Sequence, residues 1–284
     1  KPNDNKIKIT MGISKTYKII DCFTFYNEID LLNLRLSELY DYVDYFVISE
    51  SLHTHRGKSK KLYLEENMDL FSQFKDKIIN VCDKNKYNSS DYSWKIENNQ
   101  RNEIAKGLSS LDLDDNDQIL ISDLDEIPNI ETLKKVMPVE WVFTLEMDFY
   151  YFTLYNKIKK NWKKSKILNY KTFIEKFNSS PQHVRDSVDY RKILNFRFDR
   201  NVIKDGGWHF SYFGDVDFIQ NKIRNFAHFE FDNEKYFNAK NILNSINNGV
   251  DLYGDKSIKI NQLKELDLDK LPKNVGLIMN QINT

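Results

Sequence analysis

Cysteine, proline and glycine are scarce in this chain of 284 residues, which holds two, five and nine of them. The two thiols, Cys22 and Cys82, each sit in an apolar, strand-like run (KIIDCFTF and KIINVC), so a disulfide scaffold is excluded and buried free thiols are expected, as in a reducing compartment. So little proline and glycine leaves no low-complexity linker and no collagen-like repeat. Long hydrophobic runs are missing too: nothing approaches the ~20 apolar residues of a membrane helix. The N-terminal KPNDNKIKIT has none of the layout of a signal peptide. Lys1 opens the chain and Met11 lies inside it, so any membrane anchor is expected upstream, and the expected location is cytoplasmic. An excess of either charge is also absent: Lys+Arg and Asp+Glu both number 42, which removes the global basic field that a nucleic-acid partner would need.

What is present suffices for a large core, since 40% of the residues are hydrophobic and the chain is long enough to bury them. Residues 17–25 form a continuous apolar run of strand length. Residues 27–43 follow with Ile29, Leu32, Leu36 and Leu39 at helical spacing. The same alternation continues with a strand over 45–51, a helix near 66–76, a strand over 77–83, a helix over about 94–110, and the strand DQILIS. Strand-helix units of this spacing predict an α/β fold, a Rossmann-type, mainly parallel sheet flanked by helices. After Pro128 the pattern turns aromatic and partly alternating, at 140–156, 190–198 and 206–214, with helix-like pieces at about 215–226 and 234–248. A smaller mixed or antiparallel second half is the expectation there.

The stretch ILISDLDEIPN ends an apolar strand in three carboxylates, Asp123, Asp125 and Glu126. In open parallel sheets ligands bind beyond the carboxyl ends of the strands. Continued strand geometry points Asp123 and Asp125 the same way, with Leu124 turned to the core. Two hard oxygens at that rim suit Mg²⁺ or Mn²⁺ holding a diphosphate; a solvated turn, with Asp125 or Glu126 capping a helix from Asn129, is the plainer reading. The run LDLDDND superficially matches a calcium loop but lacks its sixth-position glycine and twelfth-position glutamate, and reads as an exposed turn. In GGWHFSYFG, alternation sets Trp208, Phe210 and Tyr212 on one face and His209, Ser211 and Phe213 on the other. His209 is either a ligand completing the metal site or a satisfied core histidine. Glu28 and Glu50 each follow a strand, at the same rim as Asp123. Arg101 offers a guanidinium to a phosphate or a carboxylate. Their plainer roles are a first-turn acid, a loop charge and an i+4 partner of Glu97.

In order along the chain, NEIDLLNLRLSELYDYVDYFVISES, Trp94 with Arg101, ILISDLDEIPN and GGWHFSYFG resemble the family 17 glycosyltransferases, over roughly residues 17–250. The best-known members add the bisecting GlcNAc. The resemblance implies a GT-A-like fold and an inverting, metal-assisted transfer from a nucleotide sugar, usually UDP-GlcNAc, to a glycan hydroxyl, forming a β linkage. It implies that Asp125 binds the metal, Mn²⁺ or Mg²⁺, with Asp123 at the ribose or metal side and His209 as a further ligand. Glu28, Glu50 and Arg101 would line the nucleotide pocket. Inversion also needs a general base, for which Glu126, Asp215 and Asp217 are candidates; the last two could equally cap the helix they begin. The expected layout is an N-terminal extension over 1–16, one domain over 17–250 with a nucleotide-sugar-binding half (17–128) and an acceptor half (129–250), and a tail over 251–284 packed on it or extending from it. Phe210 and Phe213 stand where the animal enzymes carry a cysteine pattern, which leaves an N-glycan acceptor open. The Lys-, Asn- and Ile-heavy composition suggests a microbial or viral member. A metal-dependent phosphohydrolase also places D-x-D at a strand end, but Ile127 stands where it needs Thr or Val and over a hundred residues precede the motif. A non-catalytic carbohydrate-binding module would use the aromatic strands without requiring the D-x-D.

Overall fold

The computed structural model describes residues 16–87, 93–188, 190–193, 196–199, 201–225 and 233–279. The expected extension over 1–16 lies outside them except for Thr16, as does the end of the tail from 280. Strand β1 (Ile19–Thr24) is apolar on both faces because both are covered. Ile20 and Cys22 join a cluster with Val47, Ile119 and Leu168 on one side, while Ile19 and Phe23 join a larger one with Leu32, Phe46 and Leu120 on the other. Each such fully buried side chain contributes about 1.5–3 kcal/mol.

The chain forms an α/β architecture with a large, mostly parallel sheet flanked by helices, compatible with a GT-A-like layout. β3 (Ile78–Asp83), β2 (Tyr45–Ser51), β1 and β4 (Gln118–Asp123) run parallel in that spatial order. The register sets Thr24 opposite both Ser49 and Asp123, so the carboxyl ends of three strands share one edge. The sheet continues through β8 (Lys166–Asn169), antiparallel to β4, into β6 (Phe143–Tyr151), β7 (Thr153–Trp162) and β12 (Ile260–Gln262). Strand β11 (Val202–Ser211) lies parallel to β6 and antiparallel to the short β5 (Glu126–Pro128). β9 (Tyr190–Ile193) and β10 (Phe196–Asp199) pair separately.

Helix α1 (Ile29–Leu39) covers one face through Leu31, Leu32, Leu36 and Leu39. The helix expected near 66–76 forms as α2 (Tyr63–Glu66) and a 3-10 helix, Met68–Lys77. Glu50 starts α2 early, its carboxylate accepting from Tyr63 N and Leu64 N. The helix expected over 94–110 is divided at Glu103 into α3 (Ser93–Asn102) and α4 (Ile104–Ser109). What read as one strand over 140–156 is β6 and β7, because Phe152 takes a left-handed φ of 66° and reverses the chain. Neither Asp125 nor Glu126 caps the next helix: Asn129 does, its side chain accepting from Glu131 N at the start of α5 (Ile130–Val136). α6 (Tyr170–Phe177) and α7 (Pro181–Asp186) follow β8, with Phe173 and Val184 in the core. α8 (Val216–Asn225), α9 (Glu234–Phe237) and α10 (Ala239–Asn248) close the far end, where Ile219, Ile223, Ile242 and Ile246 meet.

In the tail, Leu271, Val275 and Ile278 pack into the larger core, and Trp208 Nε1 donates to Lys270 O at 2.7 Å. LDLDDND is an exposed turn, held by Asp114 N donating to Asp117. Among the described residues no helix is long and apolar enough to cross a membrane.

One close approach decides where β11 lies. Gly207 has φ 145°, and a Cβ there would fall 2.1 Å from Ile127 O and 2.9 Å from Pro128 Cα. Gly207→Ala is therefore expected to destabilise the protein by about 2–3 kcal/mol, read as a lower urea midpoint, because β5 and β11 must part. An unchanged midpoint would show that their pairing does not depend on this contact.

Candidate active site

The turn after β4 is held from inside the protein. Arg35, on the apolar stripe of α1 and fully buried, pairs with Asp21 through Nε and Nη2 at 2.8 and 2.7 Å. Its Nη1 donates to the carbonyls of Asp123, Leu124 and Glu126 at 2.7, 3.0 and 3.1 Å. Leu124 turns into the core as alternation predicts. The sequence carries one signal for Arg35, a charge three and four residues after Leu32 and Leu31 on the buried face.

Glu126 is fully buried, and both of its oxygens are taken. Trp162 Nε1 donates to Oε1 at 2.6 Å, Ser165 donates to Oε2, and Arg185 of α7 reaches both at 2.5 and 2.6 Å. Arg185 also pairs with Asp123 Oδ2 at 2.6 Å, while Arg101 of α3 holds Asp123 Oδ1 and Glu97 Oε1, each at 2.8 Å. Burial pushes the Asp123 carboxyl up, but the two guanidinium groups outweigh it and hold it far below the usual carboxylate range. No sequence signal marked Arg185: nothing in PQHVRD sets its arginine apart until the fold brings α7 to β4.

β11 delivers His209 opposite Glu126, and Phe210 N donates to Asp125 O at 2.8 Å. His209 stacks on Phe149, with ring centroids 4.5 Å apart, and packs against Trp162 at 4.4 Å. Its Nε2 lies 3.5 Å from Asp125 Oδ1, and its buried Nδ1 finds no hydrogen-bond partner among the described residues. Lys222 of α8 stands on the other side, 3.5 Å from Asp125 Oδ2 and 3.3 Å from Glu28 Oε1. Burial raises the Asp125 carboxyl, but His209 and Lys222 together leave it below its ordinary value. The alternation expected in GGWHFSYFG holds to Ser211, which lines the cavity with His209, and then breaks. A left-handed φ of 59° at Tyr212 turns its ring to the cavity and sends Phe213 into the core.

These groups line one cavity of about 610 Å³. Glu28, Arg101, Asp123, Asp125 and His209 all face it, as expected. Glu50 does not: it is fully buried, spent on α2 and on Lys60 at 3.0 Å, and burial raises its carboxyl despite that lysine. Asp215 and Asp217 are exposed at the start of α8 and stand outside the cavity wall, Asp215 accepting from Phe218 N at 2.7 Å as a cap. At the mouth lies the exposed Asp186, which accepts from Gln182 Nε2 at 2.8 Å.

A divalent cation fits this chemistry. Asp125 and His209 offer ligand atoms at the cavity; Glu126 lies within 4.8 Å of both, but its oxygens are already taken by Trp162, Ser165 and Arg185. At this end of the sheet the five carboxylates Glu28, Glu97, Asp123, Asp125 and Glu126 face the three cations Arg101, Arg185 and Lys222, a formal excess of two negative charges. Mixed carboxylate and imidazole donors suit Mn²⁺.

The sequence profile of glycosyltransferase family 17 matches residues 10–255. No curated protein sequence matches the chain.

Arg185→Met leaves the buried Glu126 without its counter-charge. The expected cost is about 3–5 kcal/mol of stability by urea denaturation. A loss below about 1 kcal/mol, the size of an exposed pair, would mean that Glu126 is not held by this ion pair.

Proposed function

This chain belongs to glycosyltransferase family 17 and so takes a sugar from a donor to an acceptor, and on that premise we propose that it transfers GlcNAc from UDP-GlcNAc to a glycan hydroxyl with inversion, forming a β linkage, assisted by a divalent cation. The observation that carries this reading is the convergence of Asp125, His209, Arg101 and Lys222 on one cavity at the carboxyl edge of a parallel sheet. Asp125 and His209 would hold the Mn²⁺ or Mg²⁺; when bound, it neutralises charge growing on the leaving diphosphate. Asp123, fixed between two guanidinium groups, presents its remaining lone pairs toward the ribose. Arg101, whose buried Nε has no hydrogen-bond partner among the described residues, has donor capacity left for a phosphate oxygen.

We assign the general base to Asp186 rather than to Glu126, Asp215 or Asp217. A base must reach the acceptor hydroxyl and have a free lone pair. Glu126 is saturated by four side-chain donor contacts, and Asp215 and Asp217 are outside the cavity. The other acids in its wall, Glu28, Glu97, Asp123 and Asp125, are each in an ion pair. Asp186 is open at the mouth, where an acceptor arrives. Its carboxylate takes the hydroxyl proton as the acceptor oxygen bonds to the anomeric carbon and the bond to the diphosphate oxygen breaks.

Cys22, buried, and Cys82, half-buried, are free and lie on β1 and β3, with β2 between them. Two strand spacings, about 9.5 Å, exceed the reach of a disulfide.

UDP release from UDP-GlcNAc with Mn²⁺ tests the donor reading. Asp125→Ala is expected to lower it by about 100-fold or more, as is chelation of the metal. Full turnover by the variant would remove Asp125 from the cation site. Asp186→Asn is expected to lower kcat for transfer about 100-fold while leaving KM for UDP-GlcNAc within about twofold. A changed KM with kcat intact would make Asp186 a binding residue instead.

A further inference from the structure

Lys222 stands on the carboxylate assigned to the cation. It is 7% exposed, on a helix whose neighbours Ile219 and Ile223 are core residues. Its ammonium bridges Glu28 at the β1–α1 junction and Asp125 in the turn after β4, with the Tyr212 ring 5.5 Å away. One positive charge thus already rests on the carboxylate proposed to bind a divalent ion. An ion liganded by Asp125 would lie a few ångströms from that ammonium, in a site withdrawn from water where like charges repel strongly. Asp125 turns Oδ1 to His209 and Oδ2 to Lys222, so an ion held by both of its oxygens takes the place of the ammonium. Lysine is suited to yielding, being a point charge on a flexible four-carbon stem, and Glu28 can retain it at the cavity wall.

We propose that Lys222 is a resident cation that the divalent ion displaces from Asp125, and that the displaced ammonium then binds the donor's diphosphate. This rests on the metal-dependent reading above. In the resting protein Lys222 offsets the charge of Asp125 and Glu28, which keeps the two carboxylates together before any ligand arrives. Binding of the ion moves that positive charge from the carboxylates to the leaving group. The exchange also makes cation affinity in the absence of nucleotide lower than the donor set alone would set it.

The test uses the full chain and Mn²⁺ alone, with free Mn²⁺ followed by electron paramagnetic resonance, then UDP binding by calorimetry at saturating Mn²⁺. Lys222→Met is expected to bind Mn²⁺ about tenfold more tightly than the unaltered protein and UDP about tenfold more weakly. Lys222→Arg, which keeps the charge, is expected to bind Mn²⁺ as the unaltered protein does. Mn²⁺ affinity unchanged or lowered in Lys222→Met overturns the exchange. UDP affinity unchanged overturns the transfer of the ammonium to the diphosphate. If circular dichroism shows Lys222→Met unfolded, Lys222→Gln is read by the same criteria. Mn²⁺ binding by none of the proteins overturns the metal-dependent reading and this proposal together, whereas normal binding by the unaltered protein with no change in the variant overturns this proposal alone.

Discussion

The buried charge at the end of β4 is the constraint to which the surrounding elements answer. Glu126 has no solvent exposure, and an ion so placed costs several kcal/mol unless counter-charge and hydrogen bonds are supplied around it. Three helices far apart in the chain supply arginines to this one turn. Arg35 of α1 holds its carbonyls, Arg101 of α3 takes one oxygen of Asp123, and Arg185 of α7 takes the other together with Glu126. The turn therefore fixes the positions of the helices as much as they fix it. A group desolvated to this degree is pre-oriented, so a ligand that meets Asp123 or Arg101 encounters dipoles already in place.

The aromatic second half serves the same end. Trp162 fixes Glu126 through its indole nitrogen, and it shares with Phe149 the packing of the His209 ring. Among the described residues the imidazole is set by ring contacts, with no hydrogen bond to Nδ1, and its Nε2 edge is aimed at Asp125. Saturated groups such as Glu126 and Glu50 do positioning work, whereas Asp186 and Arg101 at the cavity keep capacity for partners. This division assigns separate structural and chemical duties to carboxylates that look alike in the sequence.

Much of the parallel half was legible because its signals are local. The apolar runs around Cys22, Val47 and Ile121 have strand length, and the stripe from Ile29 to Leu39 has helical period. Where a single residue changed the backbone, the pattern misled. Left-handed Phe152 divided one strand into two, and left-handed Tyr212 exchanged the fates of Tyr212 and Phe213. Hydrophobic alternation contains no information about such reversals. Glu50 sat at the expected strand end, yet the backbone amides of α2 claimed it.

By itself the sequence determined the α/β layering, the location of Asp123 and Asp125 where β4 ends and that of His209 on an aromatic strand, since strand length, helical period and side-chain alternation follow from backbone geometry. Its order of motifs also pointed to glycosyltransferase family 17. Only the tertiary structure decided which acids are spent and which are available, because a carboxylate's role depends on the donors that surround it. Arg185 lies 62 residues from Asp123, and Lys222 lies 194 residues from Glu28. No local pattern can encode those pairings; they exist because desolvated charges must find each other once the chain has folded.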